Sequence, residues 1–514
     1  MDFTLSHQKA TFFGFVIRYG FFLCMKREYC FFVGVSLIVL LLASTLSPFY
    51  GMPMACDPHI YSSVGRGMME GLIPYRDLFD QKGPLVFLLY GLAQWGWHSF
   101  TPVLLVEVAC LFISLIYAYR LALFRVGKRK AFLVALTLPC LLCKFSYFEN
   151  GGNPSEFLLP LQFMGMYWMA GSYLLPQRFS SWKTGFVLGV GVGAAFMSKF
   201  NICCFWVFPI LVTTFFCWKR KKFLSLLAGS LVGAACVIIP FLTYFIYHHS
   251  LVFLKEGYFL FSVYYGLHAE SLSVVLTQYA VLFKSILAGD INSIWIAFGI
   301  VMVLFSRISG KIKLLYTFSF LFCLVCLFGS ARMQCGHYLI TLVPYAYVGL
   351  LILSEMICPG RLVPRERFPL LEKCMAVGLV VYALCNSVNV HELSGSYRKM
   401  ASMKKDLQEL VPPDKTFALI GINDQGMYWL LDRIPDIRLF TICSSTPEIM
   451  ENLTFQQYRE VEDKKIEYLA VKESLLDDRR KSGRMFAELL RSSYARKGIV
   501  KKGNVNYELF VRKP

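Results

Sequence analysis

Apolar runs of 15 to 25 residues, each closed on alternate sides by a short basic cluster, recur along most of this 514-residue chain. About 20 apolar residues carry a helix across a bilayer. The runs at 30–48, 101–124, 131–148, 155–175, 184–198, 202–218, 223–247, 291–306, 314–330, 338–357 and 369–387 therefore predict about eleven transmembrane helices. The run 84–97 is apolar but too short to cross and predicts a juxtamembrane or re-entrant helix. That choice fixes the topology. With 84–97 left on one side, Arg125 and Lys128, Arg178 and Lys183, Lys219 to Lys222, Arg307 and Lys311, and Arg361 and Arg365 all fall on the same face. The positive-inside rule makes that face cytoplasmic. The N-terminus is then inside, with 1–29 a cytoplasmic or interfacial segment, and the region after 388 lies outside.

Composition agrees with the pattern: 56% of residues are hydrophobic, 16% aromatic and 17% charged. The formal charge of +19 sits in the clusters between spans, and no basic stripe interleaved with aromatics points to nucleic acid. Most of the 17 cysteines lie inside apolar runs, where they behave as small hydrophobes, and the rest are too scattered for a disulfide framework or a zinc site. The first span follows Lys26 and Arg27 without a small-residue cleavage site and reads as a signal anchor.

Polar residues gather in the loops assigned outside. The first, 49–100, carries Asp57, His59, Arg66, Glu70, Arg76, Asp77, Asp80 and Lys82. The others are 149–154 (ENGGNP), Lys199 with Asn201 between two apolar runs, 248–290, and 331–337 (ARMQCGH). A charge such as Lys199 within an apolar stretch needs a partner or a wet cavity. After residue 388 strand-like segments (416–420, 466–471) alternate with helical ones (395–411, 424–431, 481–491), and 499–511 reads as a hairpin turning at Gly503 and Asn504. The domain plan is thus 1–29, a transmembrane domain 30–388 and an extracytoplasmic α/β domain 389–514.

Duller readings stand beside these. Asp57 before Pro58 is a good helix cap, and Arg76, Asp77, Asp80 and Lys82 form a run that solvent alone can satisfy. Gly185, Gly189 and Gly193 at four-residue spacing predict close helix packing.

Asp57 after the first span, then Gly71-Leu72-Ile73-Pro74-Tyr75-Arg76-Asp77, then Asp80-Gln81-Lys82-Gly83-Pro84-Leu85 opening an apolar helix, resemble the C-type (GT-C) integral-membrane glycosyltransferases. The branch is that of the protein O-mannosyltransferases and the lipid A aminoarabinose transferases. The segment 149–156, Arg332, and Gly336-His337-Tyr338 resemble later blocks, and the similarity spans roughly 28–388. Two departures are visible: Pro58 stands where a second acidic residue is common, and Gly83-Pro84 follows the lysine where the aminoarabinose branch has two prolines.

The resemblance implies a GT-C-like all-α polytopic fold with a small C-terminal α/β domain, and inverting transfer of a sugar from a polyprenyl-phosphate donor to a lipid, glycan or protein acceptor outside the membrane. It implies Asp57 as general base and Lys82, with Arg66, Lys199 or Arg332, as holders of the donor phosphate. Tyr75, Arg76, Asp77, Asp80, Glu149, Asn153, Glu156, His337 and Tyr338 are further substrate-binding candidates. No Asp-x-Asp pair is present and no obligatory metal or other cofactor is expected. A transporter or flippase, a non-catalytic subunit, and an oligosaccharide ligase using a polyprenyl-diphosphate donor remain as alternatives; internal repeats, which would favour a transporter, are not seen.

Overall fold

Long apolar segments form helices here because a membrane leaves backbone N–H and C=O groups no other partner than the helix itself. The computed structural model describes residues 27–143, 148–266, 273, 277, 280, 291–328, 336–357, 369–421, 423–424, 426–442, 447–473, 481–502 and 505–514. Among them six helical segments are long and apolar enough to cross a bilayer: Arg27–Tyr50, Thr101–Ala122, Phe200–Lys219, Phe223–Tyr247, Gly310–Leu327 and Gly336–Met356. Helices at Pro154–Leu174, Ser181–Ser198, Ile291–Phe305 and Pro369–Cys385 pack among them. The protein is a multi-pass membrane protein.

The run expected to cross at 131–148 is instead two short helices, Lys128–Ala135 and Thr137–Leu142. Pro139 lacks an N–H and its ring crowds the preceding turn, which accounts for the break. A second difference lies in 248–290, read above as loop: Leu251–Leu254, the π-turn Lys255–Leu260 and Phe261–Gly266 form a helix that Gly257 presses against the ring of Tyr75. The expectation for 84–97 holds, since Pro84–Gln94 is an 11-residue helix, about 17 Å long against a hydrocarbon core of about 30 Å. It lies along Cys56–Met69, where Gly65 and Gly91 bring the two backbones together: a Cβ on Gly65 would stand 2.6 Å from the Gly91 nitrogen.

The glycine stripe has a defined role. A Cβ on Gly189 would lie 2.0 Å from the Ser230 carbonyl oxygen, and Gly229 and Gly233 on Phe223–Tyr247 face Trp182 and Phe186 equally closely. Gly189→Ala is therefore expected to force the pair apart and destabilise the protein by about 1–3 kcal/mol, read as a lower midpoint in a heat-aggregation assay in detergent.

Beyond the bundle, the Val388–Leu410 helix leads into a four-stranded sheet of order β1-β2-β4-β3, with β1 Phe417–Ile420, β2 Tyr468–Lys472, β3 Tyr494–Lys502 and β4 Val505–Arg512. β1 and β2 are parallel (Ala418 opposite Leu469), and β4 runs antiparallel to both β2 and β3. Apolar Phe417 and Leu419 of the edge strand β1 and Leu469 and Val471 of the inner strand β2 are all buried, with the Pro447–Asp463 and Lys481–Ser493 helices packed on the sheet. The helix expected at 424–431 shrinks to Met427–Leu430, and the expected hairpin turn, Gly503 and Asn504, lies outside the described residues.

This α/β unit seats on the loop between the first two spans. Arg438 Nε donates to the Tyr75 carbonyl at 2.8 Å and its own carbonyl accepts from Phe79 N at 2.9 Å. His98 stacks on Trp429 at 4.6 Å between centroids. Gly426, at φ +93°, lies against His59, where a Cβ would come within 2.8 Å of the imidazole.

Candidate active site

The Cys56–Met69 helix begins two residues earlier than the sequence suggested. Its N-cap is Ala55, so Asp57 sits within the first turn rather than capping it, and Pro58 follows at the third helical position. The reason is local: Met52 to Ala55 turn back on the end of the first span, where Met54 N meets the Thr45 hydroxyl, and the chain is already aligned at Ala55. The Asp57 carboxylate is thereby left to other groups. Its Oδ2 accepts from the Tyr61 hydroxyl, one turn along, at 2.8 Å, and lies 3.9 Å from Lys82 Nζ.

Lys82 is held from three sides. Its carbonyl accepts from the buried Tyr75 hydroxyl at 2.6 Å and its N–H donates to Asp80 Oδ2 at 3.2 Å. Its ammonium stands 5.8 Å from the centre of the Tyr61 ring. The next residue shows why the motif has a glycine: Gly83 N donates to the Ser198 carbonyl at 2.7 Å, and a Cβ there would be 2.2 Å from the Met197 oxygen. That contact joins the loop to the end of the Ser181–Ser198 helix, and so to Lys199. Lys199 is buried, with its ammonium 3.6 Å above the centre of the Tyr338 ring.

The third wall comes from 149–154. Glu149 Oε2 lies 2.9 Å from Nδ1 of buried His337. The turn needs φ of +87° at Gly151 and +76° at Gly152, a left-handed path that glycine tolerates without strain, and +52° at Glu149, where a side chain makes it uncommon. Beneath it Glu107 of the Thr101–Ala122 helix accepts from the Gly152 N–H and, at 2.7 Å, from the Ser44 hydroxyl. Asn389 donates to both the Ala43 and Glu149 carbonyls at 2.8 Å. Three distant segments are thus tied at one end of the bundle.

The electrostatics divide the two loop carboxylates. Burial pushes Asp57 up, but Lys82, His337, the Tyr61 hydrogen bond and Lys199 more than offset it and hold the carboxyl below its ordinary range. Asp80 is 3% exposed; burial raises it, Lys82 opposes, Asp57 adds to the rise, and the net shift is upward. Glu149 is likewise pushed up by burial yet brought below its ordinary value by His337. The site therefore offers an ionised carboxylate, Asp57, with 28% of its side chain open, facing a lysine that is 13% open.

Of the residues singled out from sequence, Asp57, Asp80, Lys82, Glu149, Lys199, His337 and Tyr338 come together. Tyr75 supports Lys82 from below and is fully buried. Arg66 is not beside Asp57: nine residues along the same helix it is about 14 Å further on, paired with Asp432 at 2.7 Å. Arg76 and Asp77 bind each other at 2.8 Å on the exposed side, the solvated pair that the charge run allowed. Asn153 and Glu156 open the Pro154–Leu174 helix, where Glu156 reaches back to the Asn153 N–H at 3.1 Å and both are buried. Arg332 lies outside the described residues. Tyr61 and Glu107 were missed. A lone glutamate in an otherwise apolar span was a usable signal for Glu107, whereas Tyr61 is one aromatic among many. Among the described residues no group of three or more His, Cys, Asp or Glu side chains is arranged to hold a metal ion.

Residues 84–247 match the family described as dolichyl-phosphate-mannose-protein mannosyltransferase. Two crystal structures of ArnT from Cupriavidus metallidurans share the fold. The one bound to undecaprenyl phosphate has a TM-score of 0.59 and 10% identity, covering 94% of this chain and 97% of that one. The apo form has a TM-score of 0.59 and 12% identity over the same shares. A search of characterised proteins gives no sequence match. The chain is thus a multi-pass membrane protein of the C-type glycosyltransferase fold, with the mannosyltransferase family pattern in the third of its length that runs from the Pro84–Gln94 helix to Tyr247.

Proposed function

We propose that this protein transfers a sugar from a polyprenyl-phosphate-linked donor to a hydroxyl or phosphate oxygen of a lipid, glycan or protein acceptor, on the extracytoplasmic face of a bacterial cytoplasmic membrane. The observation that carries the reading is the Asp57–Lys82 pair: an ionised, accessible carboxylate 3.9 Å from an ammonium, at a bundle end shared with Lys199. The family match and the ArnT fold support the same class.

In this reading Asp57 takes the acceptor proton as the acceptor oxygen attacks the anomeric carbon. The bond from that carbon to the lipid phosphate breaks, its electron pair stays with the phosphate oxygen, and the configuration inverts. Lys82, with Lys199 behind it, holds the departing phosphate as its charge grows. Asp80, held toward its neutral form, is suited to hydrogen-bond a sugar hydroxyl without adding negative charge beside that phosphate. A monophosphate leaving group facing two lysines needs no metal clamp of the kind a nucleotide diphosphate uses. The basic ends of the spans, Arg125 and Arg129 among them, support a cytoplasmic N-terminus and an extracytoplasmic domain at 389–514.

The test is purified protein offered a polyprenyl-phosphate sugar, the corresponding polyprenyl-diphosphate sugar and a nucleotide sugar, with and without EDTA. Release of polyprenyl phosphate from the first alone, unchanged by EDTA, is expected; turnover of the diphosphate donor instead would favour a ligase. Within this mechanism Tyr61→Phe removes a hydrogen bond that favours ionised Asp57. The Asp57 pKa then rises, so the acid limb of the pH–rate profile moves to higher pH while the plateau rate changes little.

A further inference from the structure

A cavity of about 280 Å³ opens between the first loop, the helix that ends at Gly266, and the α/β unit. Phe79 and Phe261 wall it, edge to face at 5.1 Å between centroids. Glu256, Arg438, Asn452 and Gln456 supply its polar groups. It adjoins the site described above but is not part of it: Phe79 directly precedes Asp80, and Ser262 beside Phe261 bonds the Gln81 carbonyl at 3.4 Å.

Arg438 is the informative residue. Its guanidinium lies 5.4 Å over the Phe79 ring and spends Nε on the Tyr75 carbonyl, while among the described residues its two terminal nitrogens have no hydrogen-bond acceptor. Glu256 and Glu460 lie within Coulomb range of it, so one cation is balanced by two carboxylates and an anionic ligand gains little there. A lipid tail would leave the terminal nitrogens of the arginine unsatisfied. What the walls do fit is a neutral ring with apolar faces and hydroxyl edges: aromatic surface for C–H groups, donors from Arg438, an acceptor from Glu256, and both from Asn452 and Gln456. The volume is at the low end for ligand pockets, of one ring rather than a chain.

We propose that this cavity is an acceptor-side subsite for a single neutral sugar ring, so that the acceptor bears a glycan and the α/β unit takes part in selecting it. The assignment of the ring to the acceptor rests on the glycosyltransferase reading; binding of the ring does not.

Saturation-transfer NMR on the full-length protein in detergent tests it, with methyl glycosides of glucose, galactose, mannose and N-acetylglucosamine as probes and inorganic phosphate as competitor. Gln456→Trp plugs the exposed rim, and Arg438→Met removes the charge while keeping the stem over Phe79. Transfer to ring protons of at least one glycoside, weakened about tenfold or more in both variants and insensitive to phosphate, is expected. Donor hydrolysis without acceptor should be unchanged in Gln456→Trp, which also reports that this variant folds. No glycoside signal, a signal untouched by Gln456→Trp, or displacement by phosphate would overturn the proposal. Glycoside binding by a wild type that hydrolyses no polyprenyl-phosphate sugar would overturn the acceptor assignment through failure of the glycosyltransferase reading, with the cavity itself still shown to bind sugar.

Discussion

Asp57→Asn is expected to lower sugar transfer by about 10²- to 10⁴-fold, the range that general-base removal costs, with little change in the amount of folded protein. Asparagine keeps the shape and still accepts from the Tyr61 hydroxyl, now 2.8 Å from Oδ2, so the loss is of a proton acceptor and not of a packing contact. Side-by-side initial rates at matched protein, with elution on size exclusion as the check on folding, measure it. A residual rate within a few-fold of wild type would remove Asp57 from the chemistry and return it to a structural role at the start of its helix.

Lys82→Met is expected to cost about 10²- to 10³-fold, as for loss of one preorganised charge at a developing anion, and to leave a signature that Asp57→Asn cannot. Lys82 is the foremost of the groups that hold Asp57 below its ordinary range against the opposing effect of burial. Without it burial prevails and the Asp57 pKa rises. The base is then lost at a higher pH as the solution is acidified, so the acid limb of the residual activity moves toward neutrality. The direction is the test: a limb that stays in place, or moves to lower pH, would mean that the ammonium does not act on Asp57.

Much of the architecture could be read from periodicity and charge. Eleven apolar runs each correspond to helical segments among the described residues, six of them long and apolar enough to cross. The short run from Pro84 was legible because length alone excludes it from spanning. The glycine stripe at Gly185, Gly189 and Gly193 announced the tightest helix pair.

What sequence could not show were contacts made over large separations. Arg66 looked like a phosphate holder until Asp432, 366 residues away, was found against it. Lys199 meets the Lys82 loop only because Gly83 reaches the Ser198 carbonyl. Helix phase was the second obstacle: a two-residue shift in the start of Cys56–Met69 turns Asp57 from a cap into a carboxylate held by Tyr61 and facing a lysine. Glu256 and Gly257 belonged to a stretch whose mixed composition gave no helical period, yet they line the cavity beside Phe79 and Arg438. The α/β unit was visible as alternating strands and helices, while its seat on Tyr75 and Phe79 followed from Arg438, which carries no local motif.

The most direct measurement of the central claim is transfer of radiolabelled sugar from a polyprenyl-phosphate donor by membranes holding wild type, Asp57→Asn or Lys82→Met at equal amounts. The account predicts release of polyprenyl phosphate by wild type, with label on acceptor or water, and its collapse in both variants. Wild-type membranes that leave every such donor intact, or variants as active as wild type, would contradict it.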